Sequence, residues 1–397
     1  MLETPLAPAW IQIDSGAIVH NFLKLKERLK KNTRILAVVK ADAYGCGAEE
    51  MARVLLDAGA DMLGVTSLTE ALELRRTGIA APILVFAPLL PESMQAALEN
   101  DLTVSVGRPG ELKELAIAAK NIQKKATIHL KIETGMGRTG FFPEELSDVT
   151  SILKGESLLE LEGVYTHFAR AGNAGYTKKQ FTKFINCVEY LERLGVNVPF
   201  KHCANSTAAV SYPEMQLDMV RVGTLLYGQK PASLQKNLDI KDPWRVYARI
   251  LTVRKIPKGH YIGYGGEFRT KRESTIAVIP IGFADGYATV PEARPKDFID
   301  LLKKVAKDVL AYLGKGPQAA AVSIRNKRVP VVGRIGMQLS MIDVTEIPNV
   351  RVGEEVKLAM RRITASSKLP RVYVKDGKPY KVRYLEGKLE DMAALSK

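Results

Sequence analysis

Lys40 is the residue of this chain whose type and position most directly suggest chemistry, because it ends the hydrophobic run from Ile35 to Val39. Burial at the end of a strand disfavours an ammonium group and lowers its pKa. An amine with a lowered pKa is what a lysine needs in order to form a Schiff base with a carbonyl compound. A lysine at a strand end can equally reach solvent through its flexible stem, so the position alone leaves both interpretations open.

Polar residues also end several later hydrophobic runs. Arg138 follows the fifth run and His167 ends the sixth. The seventh and eighth runs end in His202, Asn205 and Ser206, and in Arg221, Gly223 and Thr224. A single histidine in such a place is more often structural, but the parallel strands of a barrel bring their carboxyl ends to one rim. The residues at these five strand ends are therefore predicted to share one site.

Eight such runs alternate with helical patterns in the first part of the chain. They are Ile35–Val39, Met62–Thr66, Pro82–Ala87, Leu102–Val106, Ala126–Ile132, Leu159–Thr166, Phe200–Ala204 and Asp218–Val222. This alternation predicts an α/β fold, a (β/α)8 TIM-like barrel over residues 1–235. A doubly wound open sheet is the main alternative, but no G-x-G-x-x-G motif follows any run, which disfavours a dinucleotide-binding sheet.

After residue 235 the helical periodicity fades and short strand patterns separated by Gly and Pro appear. This change predicts a second, mostly β domain over residues 236–397. The predicted strands are Tyr247–Lys255, Ser274–Ile279, Arg328–Val332, Leu339–Val344 and Glu355–Leu358. Residues 295–314 have the periodicity of a helical insertion. Asp376 and Gly377 are the predicted turn of a hairpin between Lys375 and Tyr384.

The composition is that of a globular protein, with 397 residues, 46% of them hydrophobic and 25% charged. The net charge is +15, but the basic residues are scattered and are not interleaved with aromatic ones, which favours a basic enzyme over a nucleic-acid-binding protein. The three cysteines have no metal-ligand spacing and indicate a reducing cytoplasm and no metal site. We identify no signal peptide and no apolar run long enough to span a membrane, so no membrane association is expected.

Eight motifs, in this order and across nearly the whole chain, together resemble the alanine racemase family of pyridoxal-phosphate enzymes. They are AVVKADAYGCG (37–47), KIETGMGRTGF (131–141), YTHFA (165–169), HCANSTA (202–208), DMVRVGTLLYG (218–228), IGYGGEF (262–268), IPIGFADGY (279–287) and VVGRIGMQLSMIDVT (331–345). Each motif is modestly specific, and the ordered set is highly specific. The resemblance implies racemisation of a free amino acid, most simply alanine, to supply D-amino acid for the cell wall.

The resemblance also implies roles for individual residues. Lys40 would bind pyridoxal 5′-phosphate covalently and act as acid and base on one face of the substrate α-carbon. Tyr264 would act on the other face, supplied by the second domain of the partner subunit in a homodimer with shared active sites. Arg221 would face the pyridine nitrogen of the cofactor. Arg138 and the backbone N–H of Met337 would bind the substrate carboxylate.

The remaining implied residues hold the cofactor or support the site. Tyr44, Ser206 and the backbone amides of Gly223 and Thr224 would bind the phosphate. His167 and Asn205 would also contact the cofactor. Lys131, which family members often carry as a carbamate, would orient Arg138. His202 and Tyr287 complete the supporting group.

The chemistry agrees with this assignment. Racemisation needs two bases, because the α-proton leaves one face and returns to the other. A phenol is a poor base at its ordinary pKa of about 10, so cationic groups near Tyr264 would have to stabilise the phenolate. A guanidinium keeps its proton, so Arg221 would leave the pyridine nitrogen unprotonated and limit electron withdrawal, which favours racemisation over side reactions.

Three departures from the family pattern bear on the substrate. Gln338 stands where the family usually has Asp, and Gly172 lies in a segment, residues 170–173, where an Asp is common. Ser367 stands where a family tyrosine contacts the phosphate and crowds the substrate side chain. These changes remove two acids and one ring, and they predict acceptance of amino acids larger than alanine, such as serine, lysine or ornithine.

Three rival functions are open at this point. A decarboxylase of the same two-domain type would usually need a cysteine in the β domain, and the last cysteine here is Cys203. A protein that only binds the cofactor would resemble the barrel alone and would not need Tyr264 or Met337. A degenerate racemase fold used as a binding module would not need to keep both bases, Lys40 and Tyr264.

Overall fold

The structure is a computed structural model, and it describes residues 7–231, 234, 238–289, 295, 297–312 and 321–384. The chain divides into two compact units, one from Ser15 to Pro243 and one that joins the residues up to Asp14 to those from Trp244 onward. This division differs from the predicted one, in which residues 1–235 formed the first domain. The difference arises because the strand Ala9–Asp14 (β1) pairs with strands of the second unit.

Eight parallel strands form the sheet of the first unit. They are Arg34–Val38 (β2), Met62–Val65 (β3), Ile83–Val85 (β4), Thr103–Val106 (β5), Ala126–Lys131 (β6), Leu159–Tyr165 (β7), Phe200–His202 (β8) and Met219–Val222 (β9). Their order is β8-β7-β6-β5-β4-β3-β2-β9, and a bridge between Asn205, three residues after β8, and Arg221 on β9 brings the two edges of the sheet together. The sheet is therefore a nearly closed barrel, which confirms the predicted (β/α)8 fold.

Helices connect these strands. They are Ser15–Lys26 (α1), the turn Lys40–Tyr44 (α2), Ala48–Asp57 (α3), Leu68–Arg76 (α4), Pro91–Glu99 (α5), Pro109–Asn121 (α6), Leu146–Gly155 (α7), Ala174–Arg193 (α8) and Ser206–Ser211 (α9). Local sequence sets some of these boundaries: Ser67 and Glu70 form a capping box at the start of α4, and Asn173 caps α8. Strands β3, β4 and β5 are buried along their whole length, as expected where helices cover a parallel sheet.

The second unit is mostly β, as predicted. Besides β1 it contains Trp244–Arg249 (β10), Thr252–Ile256 (β11), Tyr261–Ile262 (β12), Phe268–Arg269 (β13), Ser274–Ile279 (β14), Val322–Ile324 (β15), Lys327–Val329 (β16), Val331–Val332 (β17), Ser340–Asp343 (β18), Glu355–Leu358 (β19), Arg371–Lys375 (β20) and Lys378–Arg383 (β21). They form a seven-stranded sheet (β16-β15-β19-β10-β1-β20-β21), a four-stranded sheet (β11-β14-β18-β17) and the hairpin β12-β13.

The second unit differs from the sequence prediction in one strand, and it confirms the predicted helix and the predicted turn. The single strand predicted over Tyr247–Lys255 is two strands, because the chain passes from the seven-stranded to the four-stranded sheet at residues 250 and 251. The predicted helical insertion contains the helix Phe298–Tyr312 (α10). Asp376 and Gly377, with φ of 52° and 73°, form the predicted turn between β20 and β21.

Among the helices that the structure describes, none is long and apolar enough to cross a membrane.

Candidate active site

A cavity of about 700 Å³ lies within the first unit, where the carboxyl ends of the barrel strands meet. Ten of the predicted site residues line it: Lys40, Tyr44, Lys131, Arg138, His167, Asn205, Ser206, Arg221, Gly223 and Thr224. Four of these are lysine or arginine, and no Asp or Glu belongs to the lining within the described part of the chain. The charge of the lining favours an anionic ligand.

The turn that carries Lys40 has an unusual backbone. Ala41, Asp42 and Ala43 have φ of 50–54° and ψ of 46–52°, so α2 is a left-handed turn. This conformation costs an L-residue roughly 1–2 kcal/mol, so the surroundings must stabilise it. The N–H of Ala43 donates to the carbonyl of Val39 at 2.8 Å, and the N–H of Ala41 donates to Oε1 of Glu70 at 2.6 Å.

Glu70 joins the loops that follow β2 and β3. Besides the N–H of Ala41, its carboxylate accepts from the N–H groups of Thr66 and Ser67, at 2.8 and 3.0 Å. Burial lowers the pKa of Lys40, Arg138 lowers it further, and Glu70 opposes the shift. The amine of Lys40 is therefore easier to deprotonate than a free lysine, which is the property predicted for it.

A second carboxylate holds the loop that carries Arg138. The side chain of Glu133 accepts from the backbone N–H groups of Gly135, Met136, Gly137 and Arg138, at 2.5, 2.6, 2.9 and 3.4 Å. These bonds outweigh burial and lower the pKa of Glu133. An ionised Glu133 therefore fixes the path of the loop and the position from which Arg138 reaches the cavity.

Lys131, at the end of β6, donates from Nζ to Oγ1 of Thr139 at 2.5 Å. Burial lowers the pKa of Lys131 to about 8, and the nearby guanidinium groups of Arg138 and Arg221 contribute to the shift. About a tenth of this amine is therefore neutral at pH 7, far more than for a free lysine.

Arg221, on β9, is almost completely buried and is held from several sides. Its Nη2 donates to the carbonyls of Thr166 and Cys203 at 2.6 and 3.2 Å and lies 3.4 Å from Nδ1 of His167. Its Nη1 lies 2.9 Å from Nδ1 of His202. Burial lowers the pKa of Arg221, but a guanidinium remains protonated in proteins. The result is a fixed cation at the wall of the cavity.

His167 and His202 differ in their place beside Arg221. His167 lines the cavity, and burial together with Arg221 and other cations lowers its pKa to about 3. His202 lies outside the lining, fully buried, with its ring stacked on that of Tyr165 at 4.9 Å. Both rings are therefore neutral at neutral pH, and each can accept a hydrogen bond from Arg221.

The predicted phosphate-binding residues come together at the start of α9. The N–H of Gly223 donates to Oγ of Ser206 at 3.1 Å, and Asn205 caps the helix by accepting from the N–H of Ala208 at 3.2 Å. A Cβ added to Gly223 would lie 2.3 Å from the hydroxyl of Tyr44, so only glycine fits there. Burial raises the pKa of Tyr44 to about 12, which keeps its hydroxyl as a hydrogen-bond donor.

Three predicted site residues lie in the other unit. Tyr264 is at the tip of the β12-β13 hairpin with 76% of its surface exposed, and Met337 is 61% exposed in the loop before β18. The tip depends on glycine, since Gly263, Gly265 and Gly266 all have φ between 62° and 76°. Tyr287 is fully buried, and its hydroxyl has no hydrogen-bond partner among the residues that the structure describes.

The residues that depart from the family pattern are all accessible. Gln338 and Ser367 are exposed in the second unit, and the carbonyl of Ser367 accepts from Nη1 of Arg371 at 2.9 Å. A Cβ on Gly172 would meet no heavy atom within 4 Å. The wider substrate range expected from these residues stays a prediction.

Sequence reasoning missed Glu70 and Glu133, which position Lys40 and Arg138 through the backbone. Glu70 has a readable signal, because Ser67 three residues earlier gives the spacing of a capping box. Glu133 has a weaker one, an acid directly before a run with two glycines, whose N–H groups are free to converge on a carboxylate.

Two family models match most of this chain. The family model described as "Alanine racemase, N-terminal domain" matches residues 13–231, and "Alanine racemase, C-terminal domain" matches residues 244–369. An alanine racemase of Methanococcus maripaludis is 39% identical over 355 residues, which cover 88% of this chain and 88% of that protein. The solved structure of an alanine racemase of Clostridium difficile has a TM-score of 0.85 at 28% identity, and covers 96% of this chain and 99% of its own. That of the Bacillus anthracis alanine racemase with bound L-Ala-P has a TM-score of 0.82 at 30% identity, and covers 96% of this chain and 99% of its own.

Proposed function

This chain belongs to the alanine racemase family, whose two domain models match most of its length, and on that premise we propose that it interconverts L- and D-alanine with pyridoxal 5′-phosphate as cofactor. One observation carries the proposal within the chain itself. A single cavity at the rim of the barrel collects the amine of Lys40, whose pKa is lowered, and the guanidinium of Arg221, with no acid in its described lining.

The residues of the cavity fit this cofactor. The hydroxyl of Tyr44 lies against Gly223, and the N–H of Gly223 donates to Oγ of Ser206, so these polar groups together offer a cradle for the phosphate. In this proposal Lys40 binds the aldehyde and Arg221 meets the pyridine nitrogen. Asn205, Thr224 and His167 would complete the contacts. When bound, the cofactor withdraws electrons from the substrate α-carbon and makes its proton acidic.

The two proton carriers are Nζ of Lys40 and the hydroxyl oxygen of Tyr264. The lowered pKa of Lys40 lets its neutral amine take a proton on one face of the α-carbon. Tyr264 would return a proton on the opposite face. Because the side chain of Tyr264 is mostly exposed at a hairpin tip, we propose that it completes the site of a partner subunit in a homodimer.

Substrate recognition is assigned to Arg138 and the backbone N–H of Met337, which would hold the carboxylate. Glu133 supports this role, because it anchors the loop of Arg138 through four backbone bonds. The pKa of about 8 for Lys131 makes the amine reactive toward CO2 at neutral pH, so we propose that Lys131 is a carbamate that orients Arg138. His202 and Tyr287 would support the site from behind.

The cellular setting follows from the same premise. We propose a cytoplasmic enzyme that takes a free amino acid, needs no nucleic-acid or membrane partner, and supplies D-alanine for cell-wall precursors. Gln338, Gly172 and Ser367 would widen the substrate range beyond alanine without replacing it.

Incubation of the purified protein with L-alanine and added cofactor, followed by chiral chromatography, tests the proposal. We expect D-alanine to accumulate toward equal amounts of both forms, and a panel of serine, lysine and ornithine measures the substrate range. Lys40→Ala and Tyr264→Phe serve as inactive controls. Release of CO2 without D-alanine would instead indicate a decarboxylase, and the absence of any reaction would leave only a binding protein.

A further inference from the structure

Four side chains on neighbouring barrel strands form an unbroken row of hydrogen bonds. Oε2 of Glu162, on β7, lies 2.9 Å from Nε2 of His129 on β6. Nδ1 of His129 lies 2.9 Å from Nε2 of His202 on β8. Nδ1 of His202 lies 2.9 Å from Nη1 of Arg221 on β9. The row therefore connects a carboxylate outside the cavity lining to the guanidinium inside it.

The groups at the two ends of the row determine which atom donates in each of its hydrogen bonds. Arg221 can only donate, so Nδ1 of His202 must accept, and His202 is neutral with its hydrogen on Nε2. That hydrogen is donated to Nδ1 of His129, which therefore also carries its hydrogen on Nε2. The hydrogen of His129 is donated to the carboxylate of Glu162, which can only accept when ionised. No other placement of the hydrogens satisfies all three bonds.

Burial supports this arrangement. The rings of His129 and His202 are fully buried, and burial lowers the pKa of both histidines. Hydrogen bonding from His129 lowers the pKa of Glu162 and keeps it ionised. In this row the two rings are buried and neutral, the carboxylate at the end is 30% exposed and ionised, and every ring N–H has an acceptor.

Close packing fixes the rings in place. A Cβ on Gly163 would lie 2.9 Å from Cε1 and 3.0 Å from Nδ1 of His129, so the glycine leaves just enough room for that ring. The ring of His202 stacks on Tyr165, with 16° between the planes. Neither ring can turn to exchange its two nitrogens without displacing a buried neighbour.

We propose that Glu162 and His129 are positioning residues of this site: with His202 they form a row of hydrogen bonds that all run in one direction. The row holds Nδ1 of His202 as an acceptor for Nη1 of Arg221 and thereby fixes the guanidinium at the wall of the cavity. The consequence for catalysis rests on the proposed function, in which Arg221 faces the cofactor nitrogen. Neither Glu162 nor His129 lines the cavity, so both act on the site through His202.

The state of the histidine rings can be measured directly. The chain has five histidines, so 15N-histidine labelling and long-range 1H–15N NMR of the full-length protein give few signals. We expect His129 and His202 both to be neutral with the hydrogen on Nε2 at neutral pH. A hydrogen on Nδ1 of either ring, or a charged ring, would overturn the proposal without any variant.

Glu162→Gln keeps an oxygen acceptor but removes the charge, and it allows the amide to donate instead. We expect the Nε2–H signal of His129 to move toward that of a weaker hydrogen bond, and kcat to fall about fivefold with KM within about twofold. Glu160→Gln is the matched control, because Glu160 lies two residues earlier on β7, its side chain is 54% exposed, and its carboxylate pairs with the surface residue Lys125 at 3.6 Å. The control should change neither the signal nor kcat.

Gly163→Ala gives an independent variant that displaces His129 without changing charge. We expect the same loss of kcat and the same change at His129. Unchanged histidine signals and unchanged kcat in both variants would refute the positioning role. If the wild-type rings have the expected hydrogens but the protein racemises nothing, the row of hydrogen bonds stands and the proposed function fails.

Discussion

Gly223→Ala is expected to weaken cofactor binding by a steric route that the structure defines. The added Cβ would lie 2.3 Å from the hydroxyl oxygen of Tyr44, where ordinary contact begins at 3.4 Å, so the hydroxyl must move by 3.4 − 2.3 = 1.1 Å. Tyr44 has little freedom to move, because its ring is 4.9 Å from that of Tyr227 and its backbone is in the left-handed turn. Overpacking of this kind costs about 1–3 kcal/mol, which corresponds to a cofactor affinity lower by about 5- to 150-fold.

Titration of the apoprotein with pyridoxal 5′-phosphate, followed by absorbance, measures this effect, and thermal unfolding reports any loss of fold. Gly155→Ala is the control, because a Cβ on Gly155 meets no heavy atom within 4 Å. Adding Tyr44→Phe to Gly223→Ala removes the contact between the new Cβ and the Tyr44 hydroxyl. The double variant should recover thermal stability but not cofactor affinity, because it lacks the hydroxyl that binds the phosphate. A Gly223→Ala protein that binds the cofactor as tightly as the wild type would refute the assignment of Gly223 and Tyr44 to the phosphate.

Three further outcomes are expected. Glu133→Gln leaves some of the four N–H groups of its loop without an acceptor, at a cost of about 1–2 kcal/mol, and should raise KM for alanine about five- to thirtyfold. An unchanged KM would show that Glu133 is not needed to position Arg138. Intact-mass analysis in bicarbonate buffer should show one CO2 adduct that is absent in Lys131→Arg, since the pKa of Lys131 is about 8; no adduct in the wild type would exclude the carbamate. His167 has a folded-state pKa of about 3 and an unfolded one of about 6.5, so between these values the unfolded chain binds more protons. The free energy of unfolding should therefore fall with decreasing pH by up to about 1.4 kcal/mol per unit, and urea titrations of His167→Gln should show a flatter slope.

Hydrophobic periodicity was sufficient to find the barrel. The run predicted at Ile35–Val39 is the strand Arg34–Val38, and the other seven agree to within two residues at nearly every end. Short strands that are buried along their length give strong local signals, and their spacing fixes the order of a parallel barrel. The strand Ala9–Asp14 was missed because its partners, near residues 244–249 and 371–374, are far away in the chain.

The cavity residues could be predicted because they occupy strand ends, but their supports could not. Alanine does not favour a left-handed conformation, and α2 adopts one where Glu70 and the carbonyl of Val39 accept from its N–H groups. Glu133, Glu162 and His129 look like ordinary polar residues in the sequence. Their importance depends on which backbone groups and rings the fold brings to them, which is tertiary information.

The central claim is that Lys40 and Tyr264 serve opposite faces of one carbon, and hydrogen exchange in D2O tests it most directly. Each alanine enantiomer is incubated separately with the wild type, Lys40→Ala and Tyr264→Phe, and deuterium at Cα and chirality are measured together. We expect the wild type to exchange and invert both enantiomers, Lys40→Ala to do neither, and Tyr264→Phe to lose inversion while it exchanges at most one enantiomer. Inversion of both enantiomers at the wild-type rate by either variant would contradict the account.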